Sequence, residues 1–265
     1  SDFISILFCD IRSFTSLSEK MNPQQLVDFL NDFFKRMTSP ISENIGFVDK
    51  FIGDCVMALF SIPEESNALE ALCSVKAAIG MQKQIDSFNK DNARSGDKML
   101  RVGIGIHSGP VIIGTVGSEE RMESTVTGDT VNLAARLEGL TKFYKSKILI
   151  SQSTFEFIKD DKSLEFRELD LVQVKGKEEP VTIVEVLNSD SKQIRKQKLD
   201  SREKFSEALA SYRRQKWTAA ITKFKSCLKA CPEDGAASLY LERCKMFKKE
   251  PPPKGWKGQQ VFDQK

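Results

Sequence analysis

The chain opens on a short unbroken apolar run, Ile4 to Cys9, which predicts a buried strand. Asn22-Pro23 then begins a helix whose Leu26, Phe29, Leu30, Phe33 and Phe34 recur at helical spacing. Two β-rich runs, Phe47–Phe51 and Cys55–Phe60, flank Ile52-Gly53-Asp54 and predict a hairpin. Residues 66–89 predict a helix with Ala71, Val75, Ala78, Ile79 and Ile85 on one face. Val102–Ile106 and Val111–Val116 read as two strands, with Gly109-Pro110 as the turn between them. A helix is predicted over Thr130–Leu140, and strands at Ile148–Ile150, Glu165–Leu169 and Val181–Val186 complete the pattern. Paired strands mixed with helices imply an α+β, ferredoxin-like mixed sheet with flanking helices rather than a doubly wound one.

The pattern changes after Asn188-Ser189-Asp190-Ser191. Four segments are expected: 1–187 as the main domain, 188–204 as a polar basic connector, 205–249 as a small α-helical segment and 250–265 as an extended tail. In the helical segment Ala208, Tyr212, Trp217, Ala220, Phe224, Cys227, Leu228 and Pro232 resemble one tetratricopeptide repeat, a helix–turn–helix with close helix approach. One repeat cannot bury its own apolar face, so it is expected to pack on the main domain, on its copy in a partner chain or on another protein.

Charge sharpens this division. Residues 188–265 hold 19 Lys/Arg against 9 Asp/Glu, a net of +10, within a chain whose total is +3; residues 1–187 therefore carry −7. A basic tail can attract nucleic acid or anionic lipid, but a solvated face or docking on an acidic surface is the plainer expectation. No apolar stretch approaches the roughly 18 residues of a membrane span, and no signal peptide is visible. A chain that begins on a core strand is expected to belong to something longer, including a membrane-attached parent. None of the six cysteines forms a C-x-x-C pair, which favours free thiols in the cytosol.

Candidate chemistry begins with two aspartates. Asp10 ends an apolar strand in Phe8-Cys9-Asp10-Ile11-Arg12-Ser13-Phe14-Thr15, and Asp54 sits in the turn of Lys50-Phe51-Ile52-Gly53-Asp54-Cys55. Taken singly, each reads as a cap or a turn residue. Together with their flanks, over roughly residues 3–187, they resemble the metal-binding motifs of the class III adenylyl and guanylyl cyclases. A second match is Gly117 to Leu137, which contains Thr125-Val126-Thr127-Gly128-Asp129-Thr130-Val131-Asn132 and Arg136.

The resemblance implies a function. Asp10, Asp54 and the carbonyl of Ile11 would hold two Mg²⁺ or Mn²⁺ ions, hard cations that take oxygen ligands. A metal pair roughly 4 Å apart suits attack of the ribose 3′-oxygen on the α-phosphate of the same ATP, giving 3′,5′-cyclic AMP and pyrophosphate. The loop through Phe14 and Thr15 would receive phosphate oxygens. Asn132 would orient the ribose and Arg136 would stabilise charge on the transferring phosphoryl group. Outside the motif, Arg136 reads as a surface ion pair with Glu138 or Asp129. Lys50 and Thr125 would read adenine, the lysine donating to N1 and the hydroxyl accepting from N6. Guanine reverses that pattern.

Ser124 and Thr127 depart from the family's usual aromatic and aliphatic residues beside Thr125. Lys175, in Val-Lys-Gly-Lys, resembles a triphosphate-binding lysine; Arg101 is a weaker candidate. His107, the only histidine, is expected to be structural. Family members build the site between two chains. This chain keeps both the metal set and the base-and-arginine set, so a head-to-tail homodimer with two equivalent sites is implied. A cyclase of guanylyl or mixed base preference and a non-enzymatic nucleotide-binding scaffold are the competing expectations.

Overall fold

The computed structural model describes residues 2–62, 66–92, 99–118, 121–174, 180–253, 255–256 and 258–262. Its elements fall into two compact units.

The first unit comprises residues 1–141 and 147–161. Strand β1 (Asp2–Ile11) lies between two antiparallel neighbours, β3 (Cys55–Phe60) and β4 (Val102–Ser118). The edge strand β2 (Phe47–Ile52) pairs with β3, and β6 (Ile148–Ser151) runs parallel to β4. Beyond its contact with β1, β4 continues as a two-stranded ribbon with β5 (Arg121–Thr127). Alternation along β1 puts Ile4, Ile6 and Phe8 into one cluster with Met57, Leu59, Val111, Val126 and Ala134.

Helix α1 (Phe14–Ser18) follows β1 directly. Helix α2 (Pro23–Glu43) starts as its sequence predicts: Asn22 and Gln25 form a reciprocal capping box, with Pro23 in the first turn. Helix α3 (Asn67–Asn92) packs against α2 and the strands. Helix α4 (Asp129–Tyr144) presses closely on β4. A Cβ on Gly105 would lie 2.0 Å from the Glu138 backbone nitrogen, so only glycine allows this approach. Helix α5 (Gln152–Ile158) is capped by Ser151, whose hydroxyl accepts from the Thr154 N–H.

The second unit comprises residues 142–146 and 162–265. Strand β7 (Phe166–Val174) pairs antiparallel with β8 (Val181–Val186). Helices α6 (Lys192–Asp200), α7 (Arg202–Arg213), α8 (Trp217–Ala230) and α9 (Gly235–Lys249) follow. A last strand, β9 (Gln260–Phe262), runs parallel to β7. Aromatic rings of Phe205, Tyr212, Phe224 and Tyr240 interlock among these helices, with Phe224 and Tyr240 stacked at 5.2 Å.

Three expectations change. Gly109-Pro110 is not a turn: Ile4 and Phe3 pair with these residues inside one continuous β4. Glycine is needed there for close approach, since a Cβ would meet the Thr130 hydroxyl at 2.7 Å. The proline carbonyl accepts from that same hydroxyl at 2.6 Å. Residues read as a polar connector form α6, and Lys198 within it is buried because Glu185 and Asp190 satisfy its ammonium at 2.9 and 2.7 Å. The tail, read as simply extended, packs Trp256 against Tyr212, Trp217 and Phe247 before β9.

Candidate active site

The strand register brings the two aspartates together. Cys9 is paired with Val56, so the next residues along β1, Asp10 and Ile11, pass the turn that holds Asp54. Gly53 takes φ +62 there, a left-handed conformation suited to glycine, which turns the chain between β2 and β3. The Ile11 N–H donates to Asp54 Oδ2 at 3.2 Å, which sets the Asp54 carboxyl beside that of Asp10. Burial first, then Asp54 and Glu138, push the Asp10 carboxyl up to about 7, while Arg12 opposes them. Two half-buried carboxylates that repel one another form an oxygen donor set suited to a hard divalent cation. The nearby Cys55 thiol is pushed up to about 12 by burial and then by Asp10, so it offers no thiolate to compete. Among the described residues, no group of three or more His, Cys, Asp or Glu side chains is arranged to hold a metal. Further oxygen ligands for a cation at the pair would come from backbone, solvent or substrate.

An ion pair not singled out in the sequence frames the site. Arg12 Nη1 meets Glu138 Oε1 at 2.9 Å, and its Nη2 donates to the Glu138 carbonyl at 3.1 Å. This joins the end of β1 to α4. Glu138 was considered from sequence only as a partner for Arg136, and the pair it makes here lies 126 residues away in the chain. Burial raises the Glu138 carboxyl while Arg12 pulls it down. A Cβ on Gly103 would fall 1.4 Å from Arg12 Nη2, so a glycine in β4 makes room for the guanidinium.

The other predicted residues take these places. Phe14 is half-buried and Thr15 exposed at the start of α1, with Ser13 before them in a left-handed conformation at φ 58. Lys50 lies in β2 immediately after a β-bulge, and its Nζ meets Asp49 Oδ2 at 3.2 Å. Bulges of this kind re-aim side chains. The Thr125 backbone pairs with Gly114; its side chain, like that of Ser124, lies outside the described residues, and Thr127 is exposed. Asn132 is exposed and Arg136 half-buried, one turn apart on α4. Lys175 lies outside the described residues, and Arg101 is exposed beside the site, its carbonyl accepting from the Arg12 N–H at 2.8 Å. His107 is buried, with Nδ1 2.7 Å from the Ser151 hydroxyl, a satisfied core position.

Comparison with known proteins gives this arrangement a family. The profile of the adenylate and guanylate cyclase catalytic domain matches residues 1–186. "Adenylate cyclase, terminal-differentiation specific" of Dictyostelium discoideum is 40% identical over 242 residues, covering 91% of this chain and 11% of that protein. An alignment of that length runs past residue 186 into the C-terminal helices. "Adenylate cyclase" of Anabaena cylindrica is 46% identical over 188 residues, covering 69% of this chain and 36% of that protein. The chain thus spans a minor part of either relative. Among solved structures, the adenylyl cyclase CyaB from P. aeruginosa is 34% identical with a TM-score of 0.63, covering 69% of this chain and 93% of that one. The guanylyl cyclase Cya2 is 36% identical with a TM-score of 0.61, covering 70% and 92%. The chain belongs to the family of adenylate and guanylate cyclase catalytic domains, the class III nucleotide cyclases.

Proposed function

We propose that this chain converts ATP to 3′,5′-cyclic AMP and pyrophosphate at sites shared between two copies of itself. The observation that carries the reading is the Asp10–Asp54 carboxyl pair at the end of β1, within a chain matched by the cyclase family over residues 1–186. Asp10, Asp54 and the Ile11 carbonyl would hold Mg²⁺ or Mn²⁺, two ions per site. Bound there, the metals supply Lewis-acid activation of the attacking hydroxyl and charge neutralisation at the phosphates.

This chain's own residues do the rest. Asn132 orients the ribose so that its 3′-oxygen lies in line with the α-phosphorus. Arg136 donates to the phosphoryl oxygens as charge builds on them. Phe14 and Thr15 line the turn that receives the phosphates, and the resemblance assigns Lys175 to the triphosphate. Lys50 and Thr125 select adenine by donating to N1 and accepting from N6, a pattern that leaves guanine with unpaired polar groups.

Exposed apolar side chains support the second copy. Phe47, Phe51 and Ile52 on β2 and, separately, Ile112 and Ile113 on β4 are 45–64% exposed, apolar side chains suited to coverage by another chain. A guanylyl or mixed preference is the second reading. The guanylyl cyclase Cya2 is about as similar to this chain as the adenylyl cyclase CyaB, so identity alone does not choose the base. The Lys50–Thr125 chemistry and the two relatives named adenylate cyclase favour ATP. The six cysteines are all free, which fits a reducing compartment, and among the described residues no helix is long and apolar enough to cross a membrane.

Mixing an Asp10→Ala chain with an Arg136→Ala chain, each inactive alone, tests the shared site. Recovery of cyclic AMP synthesis is expected. Demonstrated heterodimers without activity would refute it.

A further inference from the structure

Helix α4 carries Asn132 and Arg136 in its first half, and its final turn ends at Tyr144. That final turn belongs to the second unit, where it is held from several directions. Tyr144 is fully buried and its hydroxyl donates to Asp170 Oδ2, on β7, at 2.5 Å. Arg243, on α9, donates to the same oxygen at 3.1 Å. Its guanidinium carbon also lies over the Tyr144 ring, 5.6 Å from the centroid. Tyr240, on the same helix, donates to the Leu169 carbonyl at 2.9 Å and fixes α9 against β7. The start of α9 abuts the chain just past Tyr144. A Cβ on Gly235 would fall 2.4 Å from Lys145 Cβ and 3.0 Å from the Tyr144 carbonyl oxygen.

The grip has a reason to matter. Arg136 and Tyr144 are eight residues apart on one helix, roughly 12 Å along its axis at 1.5 Å per residue. Between them sits Gly139, which is exposed and has no atom within 4 Å of where a Cβ would stand. Packing therefore does not require glycine there, and a helical glycine costs about 1 kcal/mol relative to alanine. A misplacement of about 1 Å in a reacting geometry can cost on the order of 100-fold in rate. The Dictyostelium relative carries sequence aligned with these C-terminal helices together with the cyclase domain.

We propose that α9 is a positioning element for the cyclisation reaction, with Arg243 and Asp170 holding Tyr144 and, through it, the helix that presents Asn132 and Arg136. The inference rests on the reading that α4 supplies those two residues to a site shared between chains. Tyr144, Asp170 and Arg243 are positioning residues: they act through α4 and touch no substrate.

The test uses the heterodimer of Asp10→Ala and Arg136→Ala full-length chains, purified through different tags. Its one competent site takes Arg136 from the Asp10→Ala chain. Tyr144→Phe added to that chain should lower kcat about tenfold with KM for ATP within twofold. The same substitution added to the Arg136→Ala chain should leave kcat unchanged, since the helix it loosens serves no working site. Asp170→Asn should repeat the contrast. Both arrangements contain the same substitutions in total, so a general loss of folding would lower both equally. Equal losses, or no loss in either, overturn the proposal. An inactive parent heterodimer overturns the shared-site reading itself, and the positioning role with it.

Discussion

Ile11, next to Asp10 at the end of β1, donates its N–H to Asp54 Oδ2 at 3.2 Å, which brings the two carboxyl groups together where β1 passes the β2–β3 turn. Burial and the neighbouring charge raise Asp10 from 3.8 to about 7. Between those values the folded chain keeps a proton that the unfolded chain has lost, so the metal-free fold loses stability as pH rises through that window. Asp10→Asn should therefore stabilise the metal-free protein above pH 7 by about 1–2 kcal/mol, a figure discounted for a half-exposed group. It should also abolish the rise in Tm that Mn²⁺ gives the parent. Thermal unfolding with and without Mn²⁺ reads both effects; an unchanged Mn²⁺ shift in the variant would remove Asp10 from the metal site.

Arg136 is assigned to charge that exists only as the reaction proceeds. Arg136→Ala should lower kcat by roughly 10²–10³ while KM for ATP changes little. Lysine should restore only part of the loss, because an ammonium lacks the planar fork of donors. Steady-state kinetics over a range of ATP decides this. A rise in KM at constant kcat would place Arg136 in ground-state binding instead.

Lys50 is aimed by a bulge at Asp49, and Asp49 is its ion partner in this structure. Exchanging the base readers, Lys50→Glu with Thr125→Cys, should lower the ATP-over-GTP ratio of kcat/KM by about 100-fold or more, as polar groups are left unpaired against adenine. Competition assays with both nucleotides measure the ratio. An unaltered ratio would move base selection to other residues.

A buried charge network ties the C-terminal helices to β7 and β8. Arg167 bridges Glu185 at 2.6 Å and Asp234 at 2.5 Å, and Lys198 reaches Glu185 at 2.9 Å. Burial alone would raise the Glu185 carboxyl, but Arg167 and Lys198 outweigh it and hold the group at about 2, below its ordinary 4.5. Its contribution to stability is thus fully present above about pH 4.5 and disappears as pH falls toward 2. The amount is on the order of 3 kcal/mol. Glu185→Gln should flatten that part of the acid-unfolding curve and cost about 3–5 kcal/mol near neutrality, since two buried cations lose their partner. Urea unfolding between pH 2 and 7 provides the comparison.

The strands around the site were legible because β1 and β3 are continuous apolar runs, buried as inner strands must be. The start of α2 was legible because Asn22, Pro23 and Gln25 cap it locally. Other features depend on partners distant in sequence. Gly109-Pro110 carries a turn signature, yet Ile4 and Phe3 of β1, more than a hundred residues away in the chain, pair with it and keep it extended. Helix α6 is too polar to advertise burial, and Lys198 enters the interior only because Glu185 and Asp190 meet it there. Arg12 and Glu138 were invisible as a pair for the same reason. The motif residues Asp10, Asp54, Lys50, Asn132 and Arg136 could be listed from sequence, but the register that brings Asp10 to Asp54 needed the sheet.

The most direct measurement is product formation by the purified chain, supplied with Mn²⁺ and either ATP or GTP, followed by chromatography of the nucleotides and release of pyrophosphate. The account predicts 3′,5′-cyclic AMP and pyrophosphate in equal amounts from ATP, much less cyclic GMP from GTP, and loss of both with Asp54→Ala. Cyclic GMP as the main product, or no cyclic nucleotide from a chain shown to be dimeric and folded, would contradict it.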